Sequence, residues 1–115
     1  MEILRILFIV SGALMALLGV PMAIGRVKPN VLYGFRVRAT LDDPELWYPA
    51  NRYAGRRLIE AGIVSTLAAV ILAFLPDLSE DAYVWACTGV MLTALALVVV
   101  RSFRYLRRLR AARDG

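Results

Sequence analysis

The chain has 115 residues, a formal charge of +5 and 60% hydrophobic residues, against roughly 45–50% in a soluble domain, and its mean hydropathy is +0.64. So short a chain cannot cover that much Leu, Ile, Val and Ala with a polar shell, so a bilayer is the expected solvent and one membrane domain, 1–115, the expected organisation. There is no His and one cysteine, Cys87. A His general base, a Cys–His nucleophile and a zinc cluster are therefore out of reach; no catalytic residue, no metal site, no cofactor and no intrachain disulfide are expected, and the chain reads as a non-enzyme.

Residues 3–25 carry one charge, Arg5, followed by about twenty uncharged residues, the length a helix needs to cross ~30 Å of hydrocarbon. Pro21 falls near the end of this first span, where a kink costs little. A cleaved secretory signal is the rival reading. The small residues Ala23 and Gly25 follow the run, but the run is longer than the usual h-region and the pair does not sit cleanly at its end.

The connector 26–57 is too long for a turn and too rich in aromatic residues for disorder. It should fold. Pro29 and Asn30 read as a turn leaving the first span, and "VLYGFRVRAT" reads as an extended segment that bends at Gly34 or brings its backbone close to another surface. Asp43 is a good N-cap, with Pro44 at the first helical position and Glu45 at the positive end of the dipole. That short helix should stop at Pro49, which starts a new helix running into the second span. On it Asn51, Gly55 and Gly62 share one face, and Arg52, Arg56 and Glu60 another. Arg56 and Glu60 should form an interfacial ion pair. Asn51, Arg52 and Tyr53 should face the folded connector, Trp47 should lie flat among headgroups, and Gly55 and Gly62 should admit a second helix.

The second span covers 58–75, ended by Pro76 and Asp77, and the third covers 82–100. Tyr83 and Trp85 at its start and Phe103 and Tyr105 beyond its end are the rings expected at the two headgroup layers. In the tail, 101–115, arginines interleave with Phe103, Tyr105, Leu106 and Leu109. The third helix should continue past the bilayer with those apolar side chains at the interface. Nucleic acid is an unlikely reader of this charge, because no recognition module surrounds it.

Charge sets the expected orientation. The connector holds seven basic residues against three acids and the tail six arginines against Asp114, whereas the 76–81 turn has Asp77, Glu80 and Asp81 and no base. The connector and tail are thus expected in the cytoplasm, and the N-terminus and acidic turn outside, in a multi-pass protein of the cell membrane.

Read together, Gly25, Lys28, Pro29, Asn30, Tyr33, Gly34, Phe35, Arg36, Thr40 and Leu41, then Trp47, Asn51, Arg52, Tyr53 and Gly55, resemble the signature of the SdpI-like membrane proteins. The best-known member of that family is an immunity protein against a secreted killing factor. The resemblance is specific over 25 to about 62 and implies a small multi-span helical membrane protein; the spans and charges read above give an all-α membrane protein of three transmembrane helices with a folded cytoplasmic connector between the first and second. It also implies resistance to a membrane-active peptide toxin, with a signalling role at the membrane as in that member. That member is longer and has further spans. A second reading is a non-enzymatic accessory subunit docked through Gly12, Gly19, Gly55, Gly62 and Gly89. The partners to consider are the bilayer, a peptide toxin, a membrane-protein complex and further copies of the chain. The connector residues Pro29, Asn30, Tyr33, Gly34, Arg36, Thr40, Trp47, Asn51, Arg52 and Gly55 are the candidate site.

Overall fold

The computed structural model describes residues 2–30 and 33–114 and, among them, contains helices and no strand. Val31 and Leu32, at the start of the expected extended segment, lie outside the described residues, as do Met1 and Gly115. The order is α1 (Glu2–Ala23), a one-turn α2 (Arg38–Leu41), α3 (Pro44–Ala73) and α4 (Glu80–Asp114). Among the described residues, α1 and α4 are long and apolar enough to cross a bilayer. Their large side chains point outward: Leu7, Leu14 and Leu17 on α1 and Leu92 and Val99 on α4 are exposed. In water that pattern would be costly, and in lipid it is not.

The end of α1 follows from Gly25. Its φ of 74° is left-handed, so the Gly25 N–H turns back to the Met22 carbonyl at 3.1 Å and the Arg26 N–H to the Pro21 carbonyl at 2.9 Å. This is a Schellman closure. α3 begins at the Asp43 cap, whose side chain accepts from the Glu45 N–H at 2.9 Å. Contrary to the sequence expectation, α3 does not stop at Pro49 but runs through it as one helix of 30 residues. Proline at that position removes one bond, to the Glu45 carbonyl, and Glu45 is exposed, so the freed carbonyl can be solvated. The expected extended segment is also corrected: Tyr33–Phe35 bend, and 38–41 are helical.

α1 and α3 run antiparallel, backbone against backbone. Gly12 lies opposite Gly62 and Thr66, and Gly19 opposite Gly55 and Ile59. Each helix thus presents two glycines seven residues apart, the repeat that keeps one stripe facing a partner along a gentle supercoil. A Cβ on Gly62 would sit 2.4 Å from the Ala16 nitrogen, and one on Gly55 2.5 Å from the Ala23 nitrogen. The sequence expectation that Gly55 and Gly62 admit a second helix is met, and α1 is that helix.

α4 packs on the other side of α3 and barely meets α1. At 1.5 Å per residue its 35 residues reach about 52 Å, most of the molecule's 56 Å length. Some 20 Å therefore project beyond a hydrocarbon core of ~30 Å. Near the 74–79 turn, Tyr83 is fully buried beside Ala69 and Cys87, its hydroxyl donates to the Ala69 carbonyl at 2.9 Å, and Phe8 meets its ring edge-on at 6.0 Å. Tyr83 is therefore core and not a headgroup ring, because α3 offers it a carbonyl one turn from its end. Trp85, 76% exposed, remains free to meet lipid.

Gly62→Ala should force the two backbones apart and destabilise the protein by about 1–3 kcal/mol. Gly89→Ala, where a Cβ would find nothing within 4 Å, should leave stability within ~0.5 kcal/mol. Thermal unfolding in detergent micelles, followed by circular dichroism, measures both.

Candidate functional site

The connector folds onto the first turns of α3, and two α3 side chains one turn apart organise it. Trp47 is completely buried, and its indole N–H donates to the Val27 carbonyl at 2.8 Å. Around the ring lie Met22, Val27 and Ala54, with Tyr33 and Phe35 against them. The expectation of a headgroup tryptophan is thus corrected: the connector supplies both an apolar lid and an acceptor, which a buried indole needs.

Asn51, 2% exposed, holds the opposite strand of the loop. Its Oδ1 accepts the Phe35 N–H at 2.6 Å, while its Nδ2 donates to the Trp47 carbonyl at 3.0 Å and reaches the Phe35 carbonyl at 3.4 Å. One amide therefore satisfies both backbone groups of Phe35. Gly34 makes the approach possible. It has φ 109°, and a Cβ there would lie 2.6 Å from Asn51 Oδ1 and 3.4 Å from the Trp47 ring, as expected of a bend that nears another surface.

Smaller locks complete the loop. Asn30 Nδ2 donates to the Lys28 and Tyr33 carbonyls at 2.7 and 2.9 Å, its Oδ1 accepts the Tyr33 N–H at 2.6 Å, and its carbonyl accepts from Arg36 Nε at 3.0 Å. Pro29 is exposed at the same turn. The Tyr33 hydroxyl donates to the Leu18 carbonyl of α1, and burial pushes its pKa above the ordinary phenol value. Thr40 is fully buried; its Oγ1 accepts the Val37 N–H at 3.0 Å and lies 2.9 Å from the Phe35 and Val37 carbonyls. Thr40, the third residue of α2, thus satisfies the N–H of Val37 just ahead of the helix, the reach-back half of a capping box. The Arg52 guanidinium lies over Gly25, where a Cβ would come 2.8 Å from its Nε.

The projecting end of α4 closes the other side. Phe103 meets Phe35 edge-on at 5.1 Å, Leu106 is buried against Leu46 and Ala50 with Leu109 beside it, and Arg113 pairs with the cap residue Asp43. Leu106 and Leu109 are therefore in protein contacts, whereas Phe103, in contact with Phe35, stays 40% exposed. Their spacing of three along the helix, 103, 106 and 109, was the available signal; for the Arg113–Asp43 pair the sequence carries none. Tyr53 does not face the connector. It stacks on Tyr105 with centroids 4.4 Å apart. Nor does Arg56 meet Glu60: Arg57 does, at 2.9 Å, because the face of α3 that carries Tyr53 and Arg57 turns toward α4 and leaves Arg56 exposed.

Of the ten predicted residues, Asn30, Tyr33, Gly34, Arg36, Thr40, Trp47 and Asn51 form one hydrogen-bonded knot, Arg52 flanks it at Gly25, and Gly55 serves the α1 contact. Pro29 stays at the surface. Among the described residues no three His, Cys, Asp or Glu side chains converge to hold a metal ion.

The fold and this knot define an all-α protein with two helices long and apolar enough to cross a bilayer and a polar, self-satisfied cap on one end. The model of the SdpI/YfhL protein family matches residues 26–102, and the chain belongs to that family. Over 57 residues it is 37% identical to the uncharacterized protein YfhL of Bacillus subtilis (strain 168), a match covering 49% of this chain and 52% of that protein. The matched stretch spans about half of that relative's length. No solved structure matches the chain significantly.

Asn51→Leu should strand the Phe35 backbone groups and destabilise the protein by about 1–3 kcal/mol, and it should expose the connector to limited proteolysis at Arg36. Arg107→Ala and Arg110→Ala, both on the exposed face of the tail, should change stability by less than ~0.5 kcal/mol. Equal effects from the three would mean that the connector is no more than a charged linker.

Proposed function

We propose that the chain is a non-enzymatic immunity or resistance protein acting against a membrane-active peptide toxin. The observation that carries this is its membership of the SdpI/YfhL family over 26–102, together with a motif region that is folded and packed. In this reading α1, the apolar part of α3 from Leu58 to Ala73 and α4 all cross the bilayer. The connector and basic tail are cytoplasmic, and the N-terminus and the acidic turn are outside. Contacts between the connector and the end of α4, such as Phe35 with Phe103, support a common side for the two basic segments, which is the side the positive-inside bias assigns to the cytoplasm.

The accessory-subunit reading loses part of its basis. Gly12, Gly19, Gly55 and Gly62 are all taken up by the α1–α3 contact, and of the glycines it drew on only Gly89 is open.

Expression in a sensitive bacterium should raise survival against secreted peptide toxins, and Asn51→Leu should abolish the gain at equal membrane insertion. Lack of protection against every toxin tried, with the chain correctly inserted, would overturn the immunity reading; co-purification in detergent with a stoichiometric membrane complex would establish the accessory one.

A further inference from the structure

The six arginines of the tail are not equivalent on the helix. Arg101, Arg104 and Arg108, spaced by three and four, lie on one stripe of α4. With Tyr105 they face Tyr53 and Arg57 of α3 across a recess of about 220 Å³. Arg107 and Arg110 are exposed and do not line it.

The recess is organised by aromatic contacts. Tyr53 and Tyr105 stack within 8° of parallel, and the Arg57 guanidinium lies 5.2 Å from the centre of the Tyr53 ring. The neighbouring carboxylate is Glu60, 2.9 Å from Arg57 Nη2, while Arg57 Nε is buried and makes no hydrogen bond. Four guanidinium groups against one carboxylate leave a local excess of three positive charges. Cations gathered this closely repel unless an anion lies among them.

The depth of the recess is set by the chain. Arg101 is the first charge after the uncharged run 82–100, and Arg57 immediately precedes Leu58, where the apolar part of α3 begins. The charges therefore stand where hydrocarbon gives way to headgroups. A groove between α3 and α4 leads from them into the apolar zone. Arg57, the Glu60 it pairs with, and Arg101 line its upper part of about 150 Å³, along with Val64, Ala94 and Leu97. Val64, Ala94 and Leu97 continue into a lower part of about 500 Å³ that reaches Gly89 and Trp85. Gly89, with no atom within 4 Å of a Cβ position, keeps that lower part open.

We propose that this groove binds one anionic phospholipid, its phosphate held by Arg57, Arg101, Arg104 and Arg108 and one acyl chain lying along Val64, Ala94 and Leu97. Basic pockets between membrane helices hold anionic headgroups in this way, and the planar guanidinium suits bidentate phosphate contact. The assignment rests on the membrane character of the protein and not on toxin immunity, so either can fail alone.

Native mass spectrometry of the full chain in detergent, with phosphatidylglycerol or phosphatidylcholine added, tests it. Phosphatidylglycerol should be retained preferentially. The double variant Arg104→Gln/Arg108→Gln should lose about tenfold or more in retention, whereas the charge-matched Arg107→Gln/Arg110→Gln should not. Glycerol phosphate, the headgroup without chains, should compete poorly. No preference for the anionic lipid, or equal losses in the two double variants, would overturn the site; displacement by glycerol phosphate as effective as by the lipid would make it a free-phosphate site and overturn the lipid assignment. Because all four substituted arginines are exposed, unchanged melting curves should confirm that the loss is one of binding.

Discussion

Backbone contact between α1 and α3, made possible by Gly12, Gly19, Gly55 and Gly62, is the constraint on which the rest of the structure depends. Within lipid the tails are as apolar as leucine, so helices gain little from hiding apolar side chains from each other and associate through close packing. The two heptad-spaced glycine pairs provide that packing and fix the register, since each glycine meets its counterpart's carbonyl. Register then decides what happens at the connector end. The last turn of α1 is delivered beside the first turns of α3, so that Met22 packs on Trp47 and Gly25 lies under Arg52.

Given that register, the connector has a polar problem to solve. Its backbone crosses a region where Trp47 and Leu46 have built an apolar floor, and each unpaired N–H or C=O there would cost about 1–3 kcal/mol. The residues that look special in the sequence are the ones that resolve it. Asn30, Thr40 and Asn51 each satisfy two or more backbone groups with one short side chain, and Gly34 removes the methyl that would block Asn51. Motif and packing are here one description: the family signature is largely the set of groups that lets an irregular loop be buried.

Much of this was legible. The all-α class, the Asp43 cap, the shared face of Asn51, Gly55 and Gly62 and the bend at Gly34 all follow from spacing and backbone chemistry, which are local. The failures are tertiary. Pro49 looked like a boundary because the rule against proline is local, while the exposed Glu45 carbonyl that excuses it is a feature of the fold. Trp47 and Tyr83 looked like interface rings because their polar tips suit headgroups. Each instead found a carbonyl, of Val27 and Ala69 respectively, that only the folded chain brings near. Arg56 and Arg57 differ by 100° around α3, and only the position of α4 decides which of them meets Glu60.

That last difference also explains why the two sides of α3 are built so differently. Toward α1, α3 presents Gly55 and Gly62 with Ile59 and Thr66, and backbones touch; toward α4 it presents Tyr53, Arg57, Ala61 and Val64, and a groove remains open for much of its length. α4 is fastened instead at its two extremities, by Tyr83 at one and by Phe103, Leu106 and Arg113 at the other. A helix fastened chiefly at its two ends keeps an open seam along its middle without losing its place. The α1–α3 pair and its buried connector thus act as the frame, and the α3–α4 seam is the part of the molecule left open to its surroundings.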